Sequence, residues 1–456
     1  MTPPDGVGYV QTVSSDRELA GGSRVDSVPS PPGAIPAGPL TARPRALGST
    51  GAATMSAPTE GDGGVRETPR LGVPRESLEG ERRVAITPTV IAQLTKAGLD
   101  VVVESGAGEA AGFTDAAYAD KGATIGSRDD AFAAQIVAQV RVLGADAESP
   151  DLDRLREGQI VIGMSAPFAT PQIAAAIAGK GATLFSLELV PRTTRAQAMD
   201  VLSSQANVAG YKAVLLAAAA LPKMFPLLTT AAGTIAPARV FIMGAGVAGL
   251  SAIATARRLG AVVEAYDVRP AVKEEVQSLG ARFLELPLDT DQGEGSSGAY
   301  AKAVSEETLQ KQRELMAKTV AGADVVITTA QVQGAKAPVL VTKEMVAQMT
   351  PGSVIVDLAA EQGGNCELSI PGRTVDEGGV LIIGPVNVPS TIPYHASLTY
   401  AKNVSNFVVL MVQKGVIDAD VDDQIVQESA VTRNGEIVNE RVRDALGQSV
   451  GQEVAR

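Results

Sequence analysis

Hydrophobic and polar positions change character along this chain. Up to about residue 66 there is no apolar period; eight prolines stand before Thr50, with many glycines and serines between them. Such a stretch buries too little surface to offset its ordering entropy, which predicts a disordered tail over 1–66, ahead of a functional start near Met55. From Leu71 onward the pattern becomes one of strands alternating with helices. LGVPRES reads as a short strand running into a turn, and Glu81-Arg82-Arg83-Val84-Ala85 as a charged rim. Thr87-Pro88 reads as a helix start, with Thr87 as N-cap, Pro88 in the first helical position and a stop at Gly98 after Lys96. Strands are predicted over 101–103, 136–142, 159–164 and 183–189, with Ala-rich helical segments between them. This alternation predicts an open, largely parallel sheet.

A long helical pattern then covers 196–220, with Thr194 placed to cap it. Gln197, Asp200, Ser204 and Asn207 fall at i, i+3, i+7 and i+10, a single polar stripe on an otherwise apolar helix, with Ser203 at its edge. The stripe is either a solvated face or the lining of a site. Its amide, carboxylate and hydroxyl groups, with Arg192 and Arg195 just upstream and none of the usual Lys and Glu, favour a lining.

The next unit, ARVFIMGAGVAGLSAIATARRLGAVVEAYDVR over 238–269, organises the rest. A short apolar strand ends at Gly244, Gly246 and Gly249, which fit G-x-G-x-x-G, and a helix and a second strand over 262–266 follow. Gly244 permits the tight turn, Gly246 lets a pyrophosphate approach the backbone, and Gly249 lets the helix pack on the strand. The helix N-terminus offers unpaired N–H groups to phosphate. Asp267 closes the second strand, where a carboxylate accepts from ribose hydroxyls and repels a 2′-phosphate; this favours NAD(H) over NADP(H), although Arg269 nearby could accept that phosphate. Strand, turn, helix, strand and acid in this order carry the inference; a lone glycine pattern would not. The first α/β unit has no such fingerprint and is expected to close over the cofactor.

Further strands are predicted over 282–286, 325–329, 354–358 and 380–383, completing a dinucleotide-binding sheet. Between the first two lies DTDQGEGSSGAY, 289–300, glycine-rich and without apolar period, which reads as a mobile surface loop. Tyr300 at its end either reaches a bound nucleotide or packs. The last part of the chain begins with a helix through 407–412 and offers a hairpin over 430–438 turning at Asn434-Gly435. These residues are expected to return to the first unit and make it discontinuous. The fold class expected is thus α/β, with two doubly wound Rossmann-like domains and mostly parallel sheets. The boundaries expected are a tail over 1–66, a first domain over 67–202 plus 392–456, and a Rossmann domain over 203–391.

Composition narrows the chemistry. A net charge of -12, with 3% aromatic residues and no Trp, argues against nucleic acid as a partner. Cys366 is the single cysteine, so no internal disulfide forms, and burial as a small residue is its expected role. No N-terminal apolar signal region is present, and the longest apolar stretch, 213–221, is about half of a bilayer span, so a soluble chain without a transmembrane segment is expected. His395 is the only histidine, which leaves no Ser-His-Asp triad or multi-histidine metal site; a structural or solvent-facing role is expected for it. The DVDD run at 420–423 reads as solvated surface. Before Arg192 the folded part holds only Lys96, Lys121 and Lys180 and no histidine, little with which to reduce a keto or imino acid. Hydride transfer to another nicotinamide ring needs no proton donor, and there the absence of an acid–base pair is expected.

RTTRAQAMDVLSSQ (192–205), NVAGY (207–211), residues 230–233, GAGVAG with Asp267-Val268-Arg269, and DLAAEQGGNC (357–366) occur together here. They closely resemble the soluble NAD(H)-binding domain I, the alpha subunit, of proton-translocating nicotinamide nucleotide transhydrogenase, over about residues 68–445. Alanine dehydrogenase and lysine-forming saccharopine dehydrogenase share the architecture. Alanine dehydrogenase uses a Lys and a His in its first domain, whereas the corresponding strand ends here read Val140-Arg141-Val142 and Met164-Ser165-Ala166. The resemblance implies that Arg192, Thr193, Thr194, Arg195, Gln197, Asp200 and Ser203 contact the nicotinamide half of NAD(H), with Gln197 bridging toward NADP(H) on a partner. It implies Gly244, Gly246, Val247 and Gly249 at the pyrophosphate and Asp267, Val268 and Arg269 on the adenosine ribose side. Gln331 falls near the adenine pocket, and Ala299 and Tyr300 on a loop closing over the nucleotide. Arg192, Gln197, Asp200, Ser203 and Tyr300 are the residues implied for catalysis, with no metal. The implied protein is a Si-specific/Re-specific type transhydrogenase, a homodimeric subunit on the cytoplasmic face of the membrane. It is active only with an NADP(H)-binding beta subunit and membrane-spanning subunits. Two rival readings are an alanine-dehydrogenase-type enzyme and a non-catalytic NAD(H)-sensing module.

Overall fold

The computed structural model describes residues 68–286, 306–331 and 334–454. The expected tail over 1–66 and the loop bearing Ala299 and Tyr300 lie outside the described residues.

The first sheet is built from short apolar runs, each buried along nearly its whole length as in sheets covered on both faces. Its strands are β1 (Arg70–Val73), β2 (Asp100–Glu104), β3 (Thr124–Gly126), β4 (Ile136–Arg141), β5 (Ile160–Met164) and β6 (Thr183–Ser186). They pair in parallel in the order β3-β2-β1-β4-β5-β6. β3 has no counterpart in the sequence prediction, because three residues, T-I-G, carry no readable period. Residues 187–189, expected to prolong β6, form a 3-10 turn. The early helix also differs. Pro88–Val90 is a 3-10 turn before the α-helix Ile91–Ala97, and Thr87 places its hydroxyl against Thr89 Oγ1 and not on a backbone N–H. Gly98 does end the helix, in the left-handed region at φ 94°.

A small exposed hairpin, β7 (Leu228–Thr230) and β8 (Gly233–Ile235), precedes the second sheet. That sheet comprises β9 (Arg239–Met243), β10 (Val262–Tyr266), β11 (Arg282–Phe283), β12 (Val325–Thr328), β13 (Val354–Asp357), β14 (Arg373–Glu377) and β15 (Val380–Gly384). Their order is β11-β10-β9-β12-β13-β15-β14, and only β14 runs antiparallel. β14 was not predicted: RTVDE is mostly polar and forms an exposed edge, where a strand needs no apolar run. In both sheets the first strand is flanked by the second and the fourth. Each therefore reverses direction at a switch point, where the carboxyl ends of the strands open a crevice.

The chain then returns to the first core through the helix Pro393–Met411, which buries Tyr400, Ala401, Val404, Phe407, Val408 and Met411 there. A two-strand hairpin, β16 (Val412–Gln413) and β17 (Val416–Ile417), follows. β18 (Ala430–Arg433) then pairs antiparallel with β6, and β19 (Glu436–Ile437) pairs with β18. The hairpin turns at Asn434 and Gly435, with φ of 49° and 83°, the left-handed pair that a two-residue turn of this type requires. Strands from both ends of the described chain thus share the first sheet. Among the described residues no helix is long and apolar enough to cross a membrane.

The long helix Val201–Ala220 belongs to both halves. Val201 is buried in the first core, and Ala213, Val214 and Ala217 in the second. Its start differs from the sequence reading. Residues Thr194–Met199 form a 3-10 turn, and the α-helix begins only after Asp200, whose extended backbone and side chain make it the N-cap. Thr194 caps nothing, because a carboxylate at position 200 receives the N–H groups that a continuous helix would have left to the preceding turn.

Candidate functional site

β9 runs into Gly244, whose φ of 101° turns the chain at the switch point. A Cβ at Gly249 would lie 1.8 Å from Gly244 O, so this glycine is what lets the helix Val247–Arg258 sit against the turn. Gly246 is different: a Cβ there would meet nothing within 4 Å. Its backbone is the N-cap of that helix and faces open space at the helix N-terminus. Gly210 on the long helix plays a matching part, since its Cβ would lie 2.0 Å from Ala248 O. The two helices cross there in close backbone contact, and Ser251 Oγ donates to Asn207 O at 2.8 Å. A glycine inside an Ala-rich helix is the signal that marks such an approach in sequence.

Asp267 follows β10 and closes the turn from the other side. One carboxylate oxygen accepts Ala245 N–H at 2.7 Å; the other accepts Arg269 N–H at 2.9 Å. The Arg269 guanidinium donates to both oxygens, at 3.0 and 3.2 Å. Burial works against the charge of Asp267, but these hydrogen bonds and the arginine outweigh it and hold the carboxyl below its ordinary range. Val268 is 79% exposed. The Gln331 amide donates to Leu358 O at 2.7 Å, which ties the end of β12 to that of β13.

The polar stripe opens onto a cleft of about 450 Å³ lined by Gln197, Asp200, Ser203, Ser204, Asn207 and Val208. Val247, the first residue of the helix after Gly246, closes one side, and Thr399 and Asn403 from the helix Pro393–Met411 close another. The stripe is therefore a lining. Ser203 N–H donates to one oxygen of Asp200 at 2.9 Å and Ser203 Oγ to the other at 2.6 Å, so the hydroxyl proton is committed and its lone pairs face outward to accept. Asp200 is the only ionisable side chain in this lining. Thr399 and Asn403 were not singled out from sequence, where they sit within a run that looks like core.

Arg192, Thr193, Thr194 and Arg195 are exposed on the approach to the 3-10 turn and do not line the cleft. Arg195 pairs with Asp423, which also N-caps the helix Gln424–Ser429, and Asp420 pairs with Arg433. The DVDD run is thus partly engaged in ion pairs and not simply solvated surface. His395 is exposed and meets Tyr394 edge-on. Cys366 is buried, and burial pushes its thiol up to about 11. Among the described residues no group of histidine, cysteine or carboxylate side chains is placed to hold a metal.

The charged rim expected at residues 81–85 is instead a buried junction. The Arg83 guanidinium forks onto Glu81, at 2.8 and 2.6 Å, and reaches Gln205 on the long helix at 2.9 Å and Asn387 at 3.1 Å. The charges come inward because the fork and two neutral amides satisfy them together. Burial opposes the ionised form of Glu81, but Arg83 and Asn387 hold its carboxyl down to about 2.

Two sheets of one strand order, one with a glycine turn and closing acid, joined by a helix that presents a polar cleft, define a two-domain Rossmann-like α/β protein. The chain belongs to the alanine dehydrogenase/PNT family: residues 72–209 match the family's N-terminal domain and residues 213–440 its C-terminal domain. It is 44% identical over 379 residues to the first of the separately encoded pieces of the NAD(P) transhydrogenase alpha subunit of Rhodospirillum rubrum, covering 81% of this chain and 98% of that protein. Similarity to the alanine dehydrogenase of Bacillus subtilis is 30% over 386 residues, 83% of this chain and 94% of that one. The crystal structure of a transhydrogenase from Sinorhizobium meliloti superimposes with a TM-score of 0.71 at 43% identity, covering 81% of this chain and 99% of that chain.

Proposed function

We propose that this chain is the NAD(H)-binding alpha subunit of a proton-translocating NAD(P) transhydrogenase of the Si-specific/Re-specific type. In this reading, hydride passes from NADH in the cleft to NADP+ on a partner beta subunit. The observation that carries the reading is the nearly end-to-end similarity to the R. rubrum subunit. The residues fit the cofactor. Gly246 leaves open space at a helix N-terminus for a pyrophosphate, and Asp267 offers carboxylate oxygens for a ribose, once Arg269 yields them. When bound, NADH supplies the hydride.

The chain's own residues bind, orient and exclude water. Asp200 and Ser203 present a fixed pair of acceptors, Gln197 stands at the cleft mouth to bridge toward the second cofactor, and Val247 closes the apolar side. Arg192, with Thr193, Thr194 and Arg195, is the cationic approach to the nicotinamide half. Val268 and Arg269 flank the ribose site, Gln331 borders the adenine site, and Ala299 and Tyr300 belong to the segment that covers the nucleotide. No proton moves in a ring-to-ring hydride transfer, which suits a lining whose one ionisable group is Asp200. Coupling to proton translocation then belongs to membrane-spanning partner subunits. We assign residues 67–202 with 392–456 to the first domain and 203–391 to the NAD-binding one, in a homodimer held peripherally on the cytoplasmic face.

The test mixes the purified chain with an NADP(H)-binding domain, NADH and an oxidised NADP analogue. Hydride exchange that needs both proteins is the expected result. NADH oxidation by this chain alone with pyruvate and ammonia would select an amino-acid dehydrogenase. The burial of Arg83 in its ion pair with Glu81 speaks against that outcome, because it leaves no free cation there for a substrate carboxylate. Tight NADH binding without exchange would leave a sensing module.

A further inference from the structure

The helix Pro393–Met411 sends two side-chain amides to a single carbonyl. Asn403 Nδ2 donates to Ala198 O at 2.9 Å, and Asn406 Nδ2 donates to the same oxygen at 3.0 Å. Ala198 follows Gln197 in the 3-10 turn Thr194–Met199. The two donors differ. Asn406 is partly exposed and is oriented from behind by Gln93, whose Nε2 donates to Asn406 Oδ1 at 3.0 Å. Asn403 is 7% exposed, lines the cleft, and its Oδ1 has no hydrogen-bond partner. Turning the amide over would set an oxygen against Ala198 O, so the present orientation is fixed by chemistry.

A buried acceptor without a partner costs stability. Ala198 O already has a donor in Asn406, so the fold has little to gain from a second amide that is only half satisfied. Cost without structural return, at the wall of a functional cleft, is the mark of a group held for what the cleft does. The 3-10 turn itself is weakly self-supporting, because its hydrogen bonds are short-range and poorly aligned.

We propose that Asn403 is a positioning residue: it grips the Ala198 carbonyl from the cleft side and thereby fixes the turn that presents Gln197. It acts through Gln197 and not on the reacting atoms. The kinetic arm of the test rests on the transhydrogenase reading; the structural arm does not.

The near-isosteric Asn403→Leu in the full chain is the first variant, and Asn403→Ala the second should leucine not be accommodated. Backbone amide exchange across residues 194–200 is expected to quicken by about tenfold while the core strands keep their protection. In the mixing assay NADH affinity should stay within about threefold and the transfer rate should fall by one to two orders of magnitude, since small misplacements of an orienting group cost that much. In a Gln197→Ala background the same substitution should have no further effect on the rate. Unchanged amide exchange, rate effects that add to those of Gln197→Ala, or failure of both variants to fold would each overturn the proposal. If the wild-type pair exchanges no hydride, the transhydrogenase reading falls, and amide exchange across the turn still decides the role of Asn403.

Discussion

Asp267 accepts the Ala245 backbone N–H at 2.7 Å, so the acid that closes β10 also braces the glycine turn after β9. The carboxylate is held in place in the free chain, with Arg269 on its outer side. Replacing it should remove a charged acceptor from the ribose site and loosen the turn together. Asp267→Ala is expected to weaken NADH binding by roughly tenfold to a hundredfold, the worth of about 1.5–3 kcal/mol for a hydrogen bond to a charged group. Titration of NADH by calorimetry or fluorescence measures it, and wild-type affinity in the variant would refute the ribose assignment.

The glycines of the turn should separate stability from binding. A methyl at Gly249 has only 1.8 Å to Gly244 O, and backbone cannot give way as a side chain can. Gly249→Ala is expected to destabilise the second sheet by roughly 1–3 kcal/mol or more. A methyl at Gly246 meets nothing, so Gly246→Ala should melt like the wild type yet bind NADH more weakly, because it fills the space facing the helix N-terminus. Parallel melting curves and NADH titrations of the two variants check this. Equal melting temperatures for both would contradict the packing argument.

Gln197 lines the cleft without belonging to either core. Shortening it by one methylene in Gln197→Asn should slow hydride exchange by about a hundredfold while NADH affinity stays within a few-fold, as expected for a group that orients and does not anchor. Equal losses in rate and affinity would end its bridging role.

The Glu81–Arg83 pair predicts an acid limb in stability. The folded carboxyl titrates near 2, below its ordinary 4.5, so its contribution is complete above about pH 4.5 and is lost as the pH falls toward 2. Glu81→Gln should flatten that limb. At neutral pH it should cost about 3–5 kcal/mol, because Arg83 is left as a buried, uncompensated charge. Urea unfolding of both proteins from pH 2 to 7 gives the comparison; identical slopes would show that the pair does not govern acid stability.

The sequence by itself determined what is local. Apolar runs of four to six residues set the strands from β4 to β6 and from β9 to β13, because such runs need cover on both faces. The spacing of Gly244, Gly246 and Gly249 with Asp267 set the turn, since only glycine tolerates those approaches. Asn434-Gly435 set the last hairpin for the same reason. The polar stripe from Gln197 to Asn207 was legible as a lining because its residue types are wrong for a solvated face.

Only the tertiary structure decided what depends on partners far along the chain. A helix running unbroken from residue 196 gave way to a turn and an Asp200 cap, because the side chain competes with the backbone for the first N–H groups. The apparent rim at residues 81–85 turned inward, since the Gln205 and Asn387 amides that satisfy Arg83 stand more than a hundred positions away. Thr399 and Asn403 entered the cleft, and the chain's end joined β6, for the same physical reason: periodicity reports which face of an element is apolar, but not what will be brought against the other one.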